Sequence, residues 1–124
     1  MSSVAEVDRM EVGGESRDEF GKPNTVRRNF VNTASPGNTL LVQSQGPGLR
    51  VRVLSGVISS DLGLKVHFRS ADVPISPIFA MSGDVPLVLS HNPHGWFQTE
   101  TNAALNINLS IGSSVGAEII WVPV

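Results

Sequence analysis

The fold is decided by the C-terminal stretch Thr101 to Val124, TNAALNINLSIGSSVGAEIIWVPV. Its first half alternates apolar with polar side chains, which is the pattern of a β-strand with one apolar face and one polar face. The alternating residues are Leu105, Ile107 and Leu109 with Asn106, Asn108 and Ser110. A Gly-Ser turn over residues 111–114 separates this strand from a second strand over residues 115–122. The stretch therefore predicts two antiparallel strands near the end of the chain.

The polar face of the first strand carries Asn and Ser in place of Lys and Glu, and the whole stretch has a single charge, Glu118. A polar but uncharged face can be covered by a neighbour at low cost. We therefore expect Asn106 and Asn108 to face a neighbour or a thin water layer, in an assembled β protein. Trp121 lies between two apolar residues, so its strand is either central and covered on both sides or part of a subunit contact.

Composition narrows the class of protein. The 124 residues suffice for one domain with a real core, and charged residues make up only 16%. The formal net charge of −2 gives no sign of binding to nucleic acid or to an anionic membrane surface. There is no cysteine, which excludes disulfides and thiolate metal sites. No apolar segment resembles a signal peptide, and we expect synthesis in a cytoplasm without export by the classical secretory route on a signal of its own.

Residues 1–25 differ from the rest of the chain. They contain six acids and three bases, a net charge of −3, whereas residues 26–124 contain five acids and six bases. Their few large apolar residues cannot bury enough surface to offset the entropy of ordering. We interpret the segment as an extended arm that becomes ordered on a partner, a plain disordered tail being the alternative. The candidate contact residues in the arm are Val4, Val7, Met10, Val12 and Phe20.

The body, residues 26–124, is a series of short strands between turn residues. Strands are expected over residues 26–33, 39–44, 49–58, 64–69, 85–90, 96–100, 105–110 and 115–122. Residues 73–81 contain two prolines and are expected to form an edge strand or an extended loop. Eight or nine strands with regular turns and no helix predict an all-β, two-sheet antiparallel sandwich. A jelly roll is the favoured topology, and an immunoglobulin-like sandwich is the second choice.

Two consecutive strands carry basic residues on their polar faces. Arg50 and Arg52 lie on one strand, and Lys65 and Arg69 lie on the next, with His67 between them. If the two strands pair, these side chains form a basic patch that could accept an acidic surface, including the arm of a neighbouring copy. An ordinary solvated face is the alternative.

Other candidate chemistry is weak in this sequence. His91 and His94 in the loop His91-Asn92-Pro93-His94-Gly95 lack further ligands nearby, so turn chemistry is the preferred interpretation and no metal or cofactor is expected. Trp96 and Phe97 must face opposite sides of a strand; we favour a core role for Trp96 over a platform for sugar rings. The sequence shows no nucleophile motif and no carboxylate pair of the kind that hydrolases use, so we do not expect an enzyme.

Residues 92–124 resemble the C-terminal end of small structural proteins of tailed bacteriophages. The matching motifs are Asn92-Pro93-His94-Gly95-Trp96-Phe97, Ala104-Leu105-Asn106-Ile107-Asn108-Leu109-Ser110 and Val115-Gly116. Upstream, Gly48-Leu49-Arg50-Val51-Arg52-Val53-Leu54 is similar to a strand common in the same proteins. Ala117 stands where these proteins often have a second glycine. The likeness covers about residues 38 to 124 and leaves out the arm.

This resemblance implies a capsid decoration (cement) protein, which binds the outside of the phage head and bridges major capsid subunits. It implies two partners, the major capsid protein and further copies of the chain in a trimer. It also implies synthesis in the cytoplasm of a bacterial host and a final location on the exterior of the virion. The alternative is a tail- or fibre-associated β-sandwich that binds a host-surface glycan through Trp96 and the loop over residues 91–95.

Overall fold

The computed structural model describes residues 26–124, which form ten β-strands and, over that range, no helix. The all-β prediction is therefore confirmed, and nothing in the described range is long and apolar enough to span a membrane as a helix. The strands are β1 (Arg27–Thr33), β2 (Gly37–Val42), β3 (Val51–Ser60), β4 (Leu64–Ser70), β5 (Val73–Pro74), β6 (Phe79–Met81), β7 (Leu87–Leu89), β8 (Phe97–Gln98), β9 (Leu105–Leu109) and β10 (Val115–Pro123).

Two antiparallel sheets pack face to face. One has the strand order β1-β10-β3-β7, with β8 also paired to β3; the other has the order β2-β9-β4-β5, with β6 also paired to β4. The pairing is nested, since β1 pairs with β10, β2 with β9, β3 with β7 and β8, and β4 with β5 and β6. A chain that doubles back on itself in this way and then wraps across two sheets is a jelly roll.

The core lies between the sheets and follows the predicted alternation. Leu105, Ile107 and Leu109 of β9 are buried, as are the alternate residues Leu64, Val66 and Phe68 of the neighbouring strand β4. Phe97 reaches into the same core, where its ring centroid is 4.7 Å from that of Phe68. Full burial of an aliphatic or aromatic side chain contributes about 1.5–3 kcal/mol, so this shared interior is the main source of stability.

Two irregularities shift the alternation of long strands. Ile120 pairs with Ser55 but Trp121 pairs with Val53, so Leu54 is an extra residue in β3. Val51 and Val53 face the core before this bulge, and Ile58 faces it afterwards. An equivalent step in the β2–β9 ladder leaves Leu41 as the extra residue of β2. Each bulge changes which face a side chain occupies, because neighbouring strand residues point in opposite directions.

Several element boundaries differ from the sequence prediction. The proline-containing segment 73–81 forms two short strands, β5 and β6, which both pair with β4 at the rim of the sheet. The strand expected over residues 85–90 is limited to Leu87–Leu89, and Val85 lies outside it and is exposed. Residues 1–25, with the predicted contacts Val4, Val7, Met10, Val12 and Phe20, lie outside the described residues.

Candidate interaction surfaces

The predicted four-residue basic patch is not formed. β3 and β4 follow one another in the chain but belong to different sheets, so the condition that they pair fails. Arg52 therefore lies on the first sheet, with Arg50 directly before its strand, and Lys65 and Arg69 lie on the second sheet. The physical reason is the wrapping of the jelly roll, in which the turn after β3 carries the chain across the core to the opposite sheet.

Arg50 and Arg52 instead hold the loops at one end of the first sheet. The Nε of Arg52 donates to Oε1 of Gln98 at 3.0 Å, which ties β3 to β8. Arg50 lies 3.9 Å from the carboxylate of Glu100, and its backbone is paired with that of Val124. Arg50 and Arg52 therefore contact neighbouring segments of the same chain and help to hold them in place.

Lys65, His67 and Arg69 project from β4 on the outer side of the second sheet, and we refer to them as the basic face. Their neighbours in β4, Leu64, Val66, Phe68 and Ser70, are buried. The Nε of Arg69 donates to Nε2 of His67 at 2.9 Å, so Nε2 acts as an acceptor and carries no proton. Partial burial, and next the positive charge of Arg69, lower the pKa of His67 below its ordinary value.

Asn106 and Asn108 lie on the same outer side, turned away from the core as predicted, and their amides are used within the chain. Asn108 Nδ2 donates to Oδ1 of Asn38 at 2.8 Å, and Asn38 Nδ2 donates to Oδ1 of Asp72 at 3.1 Å. Asn106 Nδ2 donates to the carbonyl of Ala71 at 2.9 Å. The amides thus tie β2 and β9 to the turn between β4 and β5. Their lack of charge has an explanation that needs no neighbouring subunit.

The outer side of the first sheet carries a row of exposed apolar residues that the sequence prediction missed. Phe30 pairs with Glu118, Glu118 with Val57, and Val57 with Val88, so the four side chains form one line across four strands. Phe30, Val57 and Val88 are 66%, 44% and 60% exposed. We refer to these three residues as the apolar row. One signal in the sequence could have revealed this row. Phe30 and Val31 are adjacent large apolar residues in β1, so if Val31 faces the core, Phe30 must face outward.

A shallow groove runs along β10 beside the apolar row. The outward residue Gly116 has no side chain, so Asn32 of β1 and Ser59 of β3 form walls on its two sides. Towards one end of the groove the carboxylate of Glu118 is bonded to the Nε of Arg28, whose guanidinium also lies 5.8 Å from the ring centroid of Phe30. Among the described residues, the charges in this part of the groove, on Glu118 and Arg28, therefore form a mutually neutralising pair.

Trp121 belongs to the core, and the expectation that it forms a contact surface is wrong for the described fold. Its side chain is 3% exposed, and its strand β10 is covered on both edges by β1 and β3. Its Nε1 donates to Oδ1 of Asn29 at 3.1 Å, and the guanidinium of Arg27 lies 5.4 Å from its ring centroid. The strand is central, as the first alternative has it, but only its inner face is covered, since Gly116, Glu118 and Ile120 on its outer face are partly exposed.

Trp96 is the surface member of the Trp96–Phe97 pair, so the core role favoured for it is wrong. The two residues face opposite sides, as expected, but Phe97 packs against the core and Trp96 is 45% exposed. The indole N–H donates to the carbonyl of Ser90 at 2.7 Å, which holds the ring in place. The preceding loop is closed by the Oδ1 of Asn92, which accepts from the backbone N–H of His94 at 3.0 Å.

The described residues bring together no group of three His, Cys, Asp or Glu side chains that could hold a metal ion. What residues 26–124 offer is a jelly-roll sandwich with two contrasting outer faces, one with Lys65, Arg69 and bonded amides and one on which the apolar row lies among polar side chains. Comparisons with protein-family models, with curated protein sequences and with solved structures gave no match to this chain.

Proposed function

We propose that this protein is a virion structural protein that decorates the outside of a bacteriophage head. Copies of it would bridge major capsid subunits and stabilise the shell without chemical catalysis. The sequence motifs of residues 92–124 and the jelly-roll fold both favour this class, since jelly rolls are common in viral capsid proteins. The further expectation of a trimer remains part of the proposal.

The observation that carries the proposal is the apolar row on the outer side of the first sheet. Phe30, Val57 and Val88 are large and exposed; Val57 and Val88 are in register on neighbouring strands, and Phe30 is separated from Val57 by Glu118 of β10. Exposed apolar surface of this kind is typical of protein–protein contact sites. A decoration protein attached at several such contacts gains effective affinity from multivalency, so each contact can remain weak.

Reconstitution on purified phage heads that lack decoration tests this function. We expect the full chain to bind the heads and raise their thermal stability, and Phe30→Ser to reduce occupancy about tenfold through loss of a buried aromatic contact. Leu40→Ser is the matched control, because Leu40 is 55% exposed on an edge strand of the other sheet. Failure of the full chain to bind any head, or equal loss in both variants, would contradict the proposal.

A second candidate function is recognition of a host-surface glycan, and the fixed, exposed ring of Trp96 favours it. A ring whose N–H is already satisfied by Ser90 offers a preorganised stacking surface. A glycan array probed with the full chain and with Trp96→Ala tests this alternative. Binding that is lost in the variant would support glycan recognition, and absence of binding to every sugar would leave decoration as the better proposal.

A further inference from the structure

The shallow groove along β10 becomes a polar site at the end away from the apolar row. Gly116 forms the floor there, and Asn32 and Ser59 form the walls. A Cβ on Gly116 would lie 3.1 Å from Oδ1 of Asn32 and 3.6 Å from Oγ of Ser59, so the two oxygens flank the space above the glycine. We propose that this space binds a neutral oligosaccharide through the hydroxyl groups of the sugar, a binding activity beyond the proposed decoration function.

The backbone does not require glycine at position 116. Gly116 lies within β10 and its φ is outside the left-handed region, so alanine could adopt the same conformation. Glycine weakens the interior of a strand, and there it often marks a place where a ligand approaches the backbone closely. The missing side chain therefore favours a site for a bound molecule.

The polar side chains around Gly116 are exposed and are not engaged with one another. Within residues 26–124, no hydrogen bond joins the Asn32 amide, the Ser59 hydroxyl or the Asp61 carboxylate to another group. On the outer side of the second sheet, by contrast, the amides are bonded to one another and to the turn after β4. An amide and a hydroxyl each provide both donors and acceptors, which match the hydroxyl groups of a sugar.

The charges and the strand pairing disfavour other classes of ligand. Arg28 and Glu118 are bonded to each other, which leaves Asp61 as the remaining charge among the described residues that line the groove. A lone carboxylate disfavours phosphate, sulfate and nucleic acid. An extended peptide could not add as a strand, because both edges of β10 are already paired.

The groove has room for a short oligosaccharide. Its part beside Asp61 has a volume of about 550 Å³, within the range usual for small-molecule sites. The backbone N–H of Asp61 donates to the carbonyl of Ser114 at 3.1 Å, which holds this end in place. Asp61 follows Val57 by four residues, so the apolar row lies about 13 Å away at the usual rise of a strand. There the exposed ring of Phe30 offers a surface to the C–H groups of a sugar.

Titration of the isotope-labelled full-length chain, followed through the NMR shifts of its backbone amides, tests the proposal. The probes are the neutral sugars cellotriose, maltotriose and triacetylchitotriose, with inorganic phosphate as a charged comparison. We expect at least one sugar to give saturable shifts at Asn32, Ser59 and Gly116 in the millimolar range. Phosphate should give none at these residues.

Two variants locate the site. Asn32→Ala should weaken binding of that sugar about fivefold through loss of its amide, and Gly116→Val should abolish the shifts by filling the floor. Trp96→Ala is the matched control, because Trp96 is exposed but does not line the groove, and it should leave the affinity unchanged. The amide spectrum of each variant reports whether it is folded, and exposed Asn32 should tolerate alanine.

Three results would overturn the proposal: no saturable shift with any of the three sugars, full affinity in folded Asn32→Ala, or loss of binding in Trp96→Ala. The last result would assign the sugar to the loop over residues 91–95. The experiment contains no phage heads, so its failure and the failure of the decoration function are distinguishable.

Discussion

The side-chain amide of Asn29 joins the two sheets by contacting Trp121 in one and Leu41 in the other. Its Oδ1 accepts the indole N–H of Trp121 at 3.1 Å, and its Nδ2 donates to the carbonyl of Leu41 at 3.0 Å. Leu41 is the extra residue of the bulge in β2, and the amide supplies a partner for its carbonyl. One partly buried side chain thus provides hydrogen-bond partners for the indole N–H of Trp121 and the carbonyl of Leu41.

Asn29→Ala should lower the free energy of unfolding by about 1–3 kcal/mol, because it leaves the buried indole N–H and the Leu41 carbonyl without this partner. Urea unfolding followed by tryptophan fluorescence measures the change. Asn32→Ala on the same strand is the control, since Asn32 is exposed, and it should change the stability by no more than about 0.5 kcal/mol. Equal costs would show that the bridge does not contribute.

Two buried hydroxyl groups should respond in opposite ways to removal. Thr99 Oγ1 accepts from the backbone N–H of Val51 at 2.9 Å, so Thr99→Val should cost about 1–3 kcal/mol by leaving that buried donor unpaired. Ser113 Oγ is buried and has no hydrogen-bond partner among the described residues. Ser113→Ala should therefore be neutral or stabilise by up to about 1 kcal/mol. Thermal and urea unfolding of both variants would test the contrast, which a clear loss of stability in Ser113→Ala would refute.

Alanine substitutions at Gly95 and Gly46 should distinguish the cost of backbone strain from the cost of a steric clash. Both have positive φ, +89° and +104°, so alanine at either position should cost about 1–2 kcal/mol. A Cβ at Gly46 would meet nothing within 4 Å, whereas one at Gly95 would lie 2.5 Å from Cγ of Arg52. Gly95→Ala should cost about 1 kcal/mol more, because Arg52 must move and lose its bond to Gln98. Equal unfolding free energies for the two variants would contradict this steric effect.

Stability should fall on acidification partly through His67. Its pKa is lowered in the folded state, so the unfolded chain binds the proton more readily, and stability falls as the pH drops below the ordinary histidine value of 6.5. Protonation of Nε2 would also break the bond from Arg69. His67→Gln should therefore lose less stability than the unmodified protein between about pH 7.5 and about pH 5.5. Parallel pH profiles from urea unfolding would disprove a role for His67.

The sequence predicted the sandwich because alternation is a local property of each strand. Leu105, Ile107 and Leu109 needed no knowledge of their neighbours to be assigned to the core. The bulges at Leu41 and Leu54 were not predicted, since an extra residue is defined only against a partner strand. The sequence also could not decide which of Trp96 and Phe97 lies in the core. Both are aromatic, and alternation predicts only that they face opposite sides of the strand.

The surfaces were harder to predict than the core. Sequential strands pair or neighbour one another in about two-thirds of cases, and this tendency favoured a patch that would join Arg52 to Lys65. The wrapping of the jelly roll placed them on different sheets. The polar character of Asn108 was evident in the sequence, but its bond to Asn38 depends on a residue 70 positions away. The resemblance to phage proteins remains a prediction.

The nested pairing of β1 with β10 also has a consequence for how the protein is made. β10 is the central strand between β1 and β3, yet it is the last of the ten described strands to be synthesised. The first sheet therefore cannot form completely until residues up to Pro123 have left the ribosome. Until then β1 has no paired strand, and its apolar side chains stay exposed to solvent. Such non-local pairing is slow and exposes intermediates to aggregation. Folding yield, more than final stability, should thus be sensitive to growth temperature and chaperone supply.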